Sequence, residues 1–296
     1  MMKKHSTSGS HFSVQEQTPE DIFNALFAAD PVLRGLPRIV AYLISLPHRD
    51  LRPGEIWIKD FGDFSFVIEP MHFLLQGQRQ GELYGVPFGP RARLLFAYFF
   101  MECIDNPGLE VDRGGISVSR WFENMGLSIG GKSYAALREQ ESRVSACRFM
   151  STFRAQGYEG ALWDCLYISG MRGVNSKARG PTHHQRNMVR LSASLFSEVA
   201  QHPTRIPIEA LSQLSNQSLG LDIYFWLAYR LPLMTEDAFL SWDDLFRCFG
   251  TSYKHIRHFE PRFVEKLEVV LKVYSQARVI VEEGGIRLSP SSPPGL

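Results

Sequence analysis

The sequence predicts an α+β protein, mainly α, built as tandem winged helix-turn-helix domains behind an N-terminal extension. Three observations predict it. The last two-thirds of the chain repeats one order of elements. Long aromatic-rich helical stretches, RARLLFAYFFMEC (Arg91–Cys103) and LDIYFWLAYRL (Leu221–Leu231), open the two passes. Each is followed by a short amphipathic stretch that stops at a glycine, SVSRWFENMG (Ser117–Gly126) and LSWDDLFRCFG (Leu240–Gly250). Aligning those glycines sets Trp121–Phe122 over Leu245–Phe246. Each pass then runs through a second helix into alternating, strand-like residues, which is the order of a winged helix-turn-helix. Finally, 296 residues at 44% hydrophobic and 12% aromatic can fill two cores.

The expected boundaries are a disordered polar N-terminus (1–20), an extension plus first winged-helix domain (21–200), a second such domain (201–290) and a disordered tail (291–296). Within the extension, Thr18 reads as the N-cap of a short helix with Asp21 at its third position. Ile56–Pro70 alternates around Gly62-Asp63 and reads as a hairpin. The whole of 1–89 is expected to pack on the first repeat. In that repeat Leu109–Val111 reads as a strand, Ser117 or Ser119 as a cap and Gly126 as a stop. Lys132–Ala146 is the expected second helix, with Leu137 and Val144 inward. CRFMSTF and YEGALWDCLYIS, around Gly157, are expected to form the wing. Gly170–Thr182 is a loop, Met188–Ser192 a strand and ASLFSEVAQ a helix.

The second repeat begins with IPIEALSQL (Ile206–Leu214). Its long helix passes through Trp226 and ends at Pro232. Ser241 is a good N-cap with Asp244 three residues on. Pro261 suits the first position of the next helix, 261–275, whose stripe is Phe263, Leu267, Val270, Leu271 and Tyr274. ARVIVEEGGIRLS is a hairpin turning at Glu283-Gly284-Gly285.

Charge is uneven. Net charge is +1 overall, but −2 over residues 1–88, +4 over 89–200 and −1 over 201–296. Cys165–Ser197 holds no acid and carries Arg172, Lys177, Arg179, Arg186 and Arg190 beside His183 and His184. Such a strip suits phosphates even in a near-neutral chain; the same strip would equally serve as a solvated linker. The longest apolar run, Leu94–Met101, is too short to span a bilayer, and no apolar core follows the basic start. Cys103, Cys147, Cys165 and Cys248 form no CxxC and read as buried thiols in a reducing compartment.

GLSIGGKS (Gly126–Ser133) fits the phosphate-loop spacing at every position. A phosphate loop follows a buried strand, whereas SRWFENM is amphipathic and helix-like, and no downstream strand ends in a convincing magnesium ligand. An NTPase is therefore the alternative rather than the reading. Gly-Gly-Lys-Ser at a helix start also suits one DNA phosphate. His183-His184 would point to opposite faces of a strand, and no further ligand sits at metal spacing. No metal, cofactor or catalytic constellation is expected. Trp121, Phe122, Trp226, Trp242 and Phe246 read as core rather than base-stacking platforms. The reading-helix candidates are Lys132, Ser133, Arg138, Gln140 and Arg143 in the first repeat, and Arg257, His258, Arg262 and Lys266 in the second. Glu139, Glu141, Glu265 and Glu268 dilute their charge.

Several segments resemble the plasmid-encoded RepA-type replication initiators. YGVPFGPRARLLFAYFF (Tyr84–Phe100), MGLSIGGKSYAALREQ (Met125–Gln140), LGLDIYFWLAYRL (Leu219–Leu231) and Phe259–Pro294 match family blocks. Ile129 and Ser275 depart from them, where Thr and Pro are expected. The resemblance implies tandem winged-helix domains that bind repeated double-stranded DNA at a plasmid origin, open it and recruit host replication machinery. It also implies shifts between homodimer and monomer, and repression of the initiator's own gene. The expected protein is non-enzymatic and acts in the bacterial cytoplasm without membrane contact. A winged-helix transcriptional repressor is the other alternative.

Overall fold

The computed structural model describes residues 18–73, 81–105, 110–112, 123, 127, 131–155, 157–164, 169–170, 188–190 and 193–295. The sequence assignments on residues 1–17, on the caps Ser117 and Ser119, on Gly126, on Trp121 and Phe122, and on the loop 171–182 fall outside them.

The chain opens with α1 (Pro19–Ala29). Its start is the capping box read from the sequence: Thr18 Oγ1 accepts from Asp21 N at 3.2 Å, and the Thr18 N–H returns a bond to Asp21 Oδ2 at 3.0 Å. Residues 18–20 thus belong to the folded body, not to a disordered arm. α2 (Arg38–Ile44) is buried from Ile39 through Ile44. β1 (Trp57–Asp60) and β2 (Phe64–Pro70) form the expected antiparallel hairpin. Short strands β3 (His72–Phe73) and β4 (Glu82–Leu83) pair next. α3 (Gly89–Asp105) carries the first aromatic run. It leads to β5 (Glu110–Asp112), α4 (Gly131–Ser145), β6 (Cys147–Ala155), β7 (Tyr158–Asp164), β8 (Ser169–Gly170), β9 (Met188–Arg190) and α5 (Ala193–Gln201).

The hairpin β6–β7 is not the closing hairpin of the first repeat. It joins β1 and β2 in one antiparallel sheet of order β1-β2-β6-β7. The reason is aromatic packing. Phe64, Phe66 and Ile68 of β2 and Phe149 and Phe153 of β6 are buried on one face. They close over Phe23 of α1 and Tyr42 of α2, with ring centroids 5.5 Å apart for Phe23–Phe64, 4.4 Å for Tyr42–Phe66 and 5.7 Å for Tyr42–Phe149. Burying side chains of this size stabilises by roughly 2–3 kcal/mol each. The strand partners of β5 are β9 and β8, in the order β5-β9-β8.

The second repeat is contiguous. α6 (Ile208–Leu214) precedes α7 (Ser218–Arg230), followed by a 3-10 turn (Leu231–Leu233), β10 (Ala238–Ser241), α8 (Trp242–Phe249), α9 (Ile256–Val273), β11 (Arg278–Glu282) and β12 (Gly285–Ser289). Its sheet has the order β10-β12-β11, the same pattern as β5-β9-β8. Leu240, Ile286 and Leu288 face inward. α8 has the Ser241–Asp244 capping box. It stops at Gly250, where a Cβ would lie 2.5 Å from the Phe246 carbonyl oxygen. α9 begins five residues before the Pro261 start expected from the sequence. Pro261 sits inside the helix, and its missing N–H leaves the Arg257 carbonyl without the usual donor four residues on.

Two further expectations change. The extension packs on both repeats, not on the first alone. Trp226 Nε1 of α7 donates to the Val32 carbonyl at 2.9 Å, and Arg247 of α8 pairs with Asp30 at 2.9 Å. The tail is docked rather than loose. Tyr274 OH donates to the Ser292 carbonyl at 2.7 Å, Ser291 N to the Leu231 carbonyl at 3.3 Å, and Pro294 is buried.

Candidate nucleic-acid interface

α9 is the clearest surface element with this chemistry. Phe259, Phe263, Leu267 and Val270 recur at helical spacing and are buried. Phe259 and Phe263 pack on α8, with Trp242–Phe263 centroids 6.1 Å apart and Phe246–Phe259 5.5 Å. That packing turns Arg257, His258 and Arg262 outward, and all three are exposed. The helix start is chemically open. His255 is an extended N-cap with no side-chain cap bond, and the first turn holds no acid. Its first N–H groups, which no side chain caps, and the helix dipole favour an anion. Lys254 and Arg257 stand beside it; Arg257 Nε donates to His258 Nε2 at 3.4 Å. Neither has a carboxylate partner among the described residues.

One turn on, the charge is neutralised. Arg262 pairs with Glu265 at 2.6 Å and Lys266 with the same carboxylate at 2.9 Å. These bonds, that from Lys266 first and then that from Arg262, hold the Glu265 carboxyl below its usual range. α8 by contrast starts with its own acids and cap, so its N-terminus is closed to an anion.

The first repeat places its candidates differently. Leu137 and Val144 of α4 face inward as expected, but so do Gln140 and Arg143, at 4% and 6% exposure. Gln140 Oε1 accepts from Phe88 N at 2.9 Å. Arg143 donates to Asp50 at 2.6 Å, to Glu139 at 2.6 Å and to the Val86 carbonyl at 3.1 Å, and lies 4.8 Å over the Phe88 ring. Both side chains are tied into the protein, which corrects their assignment to a DNA face. The extension supplies a second packing surface that helical periodicity does not reveal. Ser133 and Arg138 are half-buried; Lys132 is described only as backbone of α4. Arg172, Lys177, Arg179 and Arg186, with His183 and His184, lie outside the described residues, as does most of the phosphate-loop-like segment.

A polar cluster that sequence reasoning missed joins the two repeats. Arg93 of α3 and Asp222 of α7 are both fully buried. Arg93 Nε meets Asp222 Oδ1 at 2.5 Å and its Nη2 meets Oδ2 at 2.9 Å. The remaining guanidinium hydrogens go to the carbonyls of Leu46, Pro47 and Gly89. His48 Nε2 bonds Asp222 Oδ2 at 2.8 Å and its Nδ1 lies 3.3 Å from Ser252 Oγ. Lys59, 4% exposed, donates to Thr251 in the same turn. Burial pushes the Lys59 amine below its usual range. A signal was present: Arg93 and Asp222, of opposite sign, each stand beside the long apolar run of their helix. A buried charge needs a buried partner.

The arrangement offers an anion-binding helix start on a rigid core. Among the described residues no group of three His, Cys, Asp or Glu could hold a metal, and no helix is long and apolar enough to cross a membrane. The model of the family described as plasmid encoded RepA protein matches residues 86–244, more than half of the chain. The chain belongs to the plasmid-encoded RepA-type replication initiator family. The match runs from Val86, before α3, to Asp244 in α8, so it takes in both members of the Arg93–Asp222 pair and ends before α9. No curated protein matches the sequence. Among solved structures, the fold is similar to the selenomethionine derivative of domains 2 and 3 of RctB, at 11% identity and a TM-score of 0.50 over 87% of this chain and 96% of that one. A second RctB structure, domains 2–3 as RctB-155-483, gives 12% identity and 0.49 over 86% and 96%. The first likeness shows a shared α+β fold.

Proposed function

We propose that this RepA-family chain is a plasmid replication initiator that binds repeated double-stranded origin sequences through two winged-helix units. The second unit runs from α7 to β12, with α9 as its reading helix and β11–β12 as its wing. The first runs from α3 through β5 and α4 to β9, interrupted by the β6–β7 insertion. The observation that carries this reading is the open start of α9: exposed Lys254, Arg257 and His258 beside uncapped N–H groups, on the helix that follows a helix-turn. Winged-helix proteins meet base edges at that place. The matching sheet orders β5-β9-β8 and β10-β12-β11 support two units of one design. The protein acts without catalysing a reaction, in the bacterial cytoplasm, and host replication proteins and a second copy of the chain are its further partners.

The test is a footprint of the purified chain on DNA flanking its gene. Protection of direct repeats of about two helical turns, with affinity falling steeply as salt rises, is the expected result. Salt-insensitive affinity, or no protection at any salt, removes the reading. An origin plasmid lacking its own initiator, supplied with this chain in trans, separates initiation from repression alone.

A further inference from the structure

The segment between α2 and β1 is clipped to α4 and to the turn that leads into α9. At one end Arg93 bonds the Leu46 and Pro47 carbonyls, Gly89 N donates to the Pro47 carbonyl at 3.0 Å, and His48 bridges Asp222 and Ser252. Ser252 belongs to the turn that leads into α9. At the other end Asp50 accepts two bonds from Arg143 of α4, at 2.6 and 3.3 Å. A tight turn follows, with Glu55 N donating to the Arg52 carbonyl at 3.0 Å and Arg52 N to the Glu55 carboxylate at 3.3 Å.

Between and just beyond these clips stand Arg49 and Arg52. Both are exposed, and neither guanidinium has a carboxylate partner among the described residues. The nearby acids are engaged elsewhere: Asp222 with Arg93, Asp50 with Arg143, and Glu55 with a backbone N–H. Surface loops are ordinarily loose. This one holds both cations on a backbone tied at each end, and Arg49 adjoins His48, which bonds Ser252 in the turn before α9. A backbone already held in place spares the loop part of the ordering cost of meeting an anion.

We propose that the loop His48–Arg52 is a phosphate-binding element of the DNA interface, with Arg49 and Arg52 each on a backbone phosphate beside the groove that α9 enters. The proposal rests on the reading of α9 as a DNA-reading helix. The contacts position the duplex and carry no base information. They also give the extension a share in binding.

The experiment compares the full chain with Arg49→Gln/Arg52→Gln on a duplex carrying an origin repeat and on a scrambled duplex, across sodium chloride concentrations. Each lost phosphate contact makes the plot of log affinity against log salt shallower by about 0.9. The expected slope is therefore shallower by roughly 2 on both duplexes, with the melting temperature unchanged. Arg154→Gln/Arg205→Gln removes two exposed charges elsewhere and is expected to leave the slope as it was. An unchanged slope in the loop variant, with steep wild-type binding, overturns this proposal alone. An equal drop in the control variant overturns it too, since net charge would then be the cause. A wild-type chain with no salt-dependent binding to either duplex overturns the functional reading, and this proposal with it.

Discussion

α4 and α9 hold corresponding places in the two repeats, yet their surroundings differ. The last turns of α4 are gripped from outside by the extension, through Phe88, Val86 and Asp50, so that Gln140 and Arg143 serve as internal ties. α9 touches the body through one apolar stripe and leaves its N-terminus without a side-chain cap. The β6–β7 insertion deepens the contrast: it takes a long hairpin out of the first repeat and gives it to the sheet of the extension. Equal element order thus does not mean equal exposure. The second repeat leaves the polar face of α9 to solvent; the first ties part of its helix surface into the protein.

The sharpest way to break that comparison is to cut the joint between the repeats. Arg93→Ala or Asp222→Ala takes the partner guanidinium or carboxylate from a fully buried charge and is expected to cost about 3–5 kcal/mol in denaturant unfolding. Arg93→Met with Asp222→Leu should recover much of that loss. A cost under 1 kcal/mol for either single variant would mean that the repeats are held together by other contacts.

A smaller effect separates the helices. Arg257→Ala is expected to weaken repeat binding by about 1–3 kcal/mol more than binding to random DNA, with stability unchanged. Arg143→Ala should do the reverse, lowering the melting temperature while leaving the ratio of specific to random affinity near its wild-type value. Equal loss of discrimination in the two variants would erase the difference between α4 and α9.

Glu265 offers a finer test. Because it occupies Arg262 and Lys266, Glu265→Gln is expected to free both and to tighten binding to any duplex by several-fold at low salt. Its pKa is depressed, so the pairing is in place above the ordinary glutamate range and is lost as pH falls through the lowered value. Wild-type affinity should rise across that fall; the variant should lack that step. Titration of both proteins by fluorescence anisotropy reads this directly. The smallest effect is expected at α8, where Ser241→Ala removes the cap and costs about 1 kcal/mol of stability without touching DNA affinity at matched folded fraction.

Local features were legible in the residues themselves. The two capping boxes, at Thr18 and Ser241, depend on side chains three positions apart and came through as read. So did the hairpins at Gly62 and Gly284 and the helix Ala193–Gln201. Cys103, Cys147 and Cys248 are free, and burial raises the Cys103 and Cys147 thiols to about 12. The candidate site was half legible. Arg257 and His258 were singled out from their charge near a helix start, and the structure extends the helix and its stripe back past them to Phe259. Arg143 misled because charge alone says nothing about which neighbour lies across from it. Pro261 misled for a related reason: a proline is welcome at a helix start, but the packing of Phe259 and Phe263 carries this helix through it.

By itself, the sequence determined the capping boxes at Thr18 and Ser241, the turns at Gly62 and Gly284, the apolar stripe of α9 from Phe263 and the family, since each rests on residues a few positions apart or on a run of letters. Only the tertiary structure decided which strands pair, where the extension and tail dock, and which charges meet. Arg93 and Asp222 are 129 positions apart, as β2 and β6 are by most of a domain. No local rule spans such separations. Long-range pairing is settled when aromatic faces and buried charges find the partners that leave none of them exposed to a cost they cannot offset.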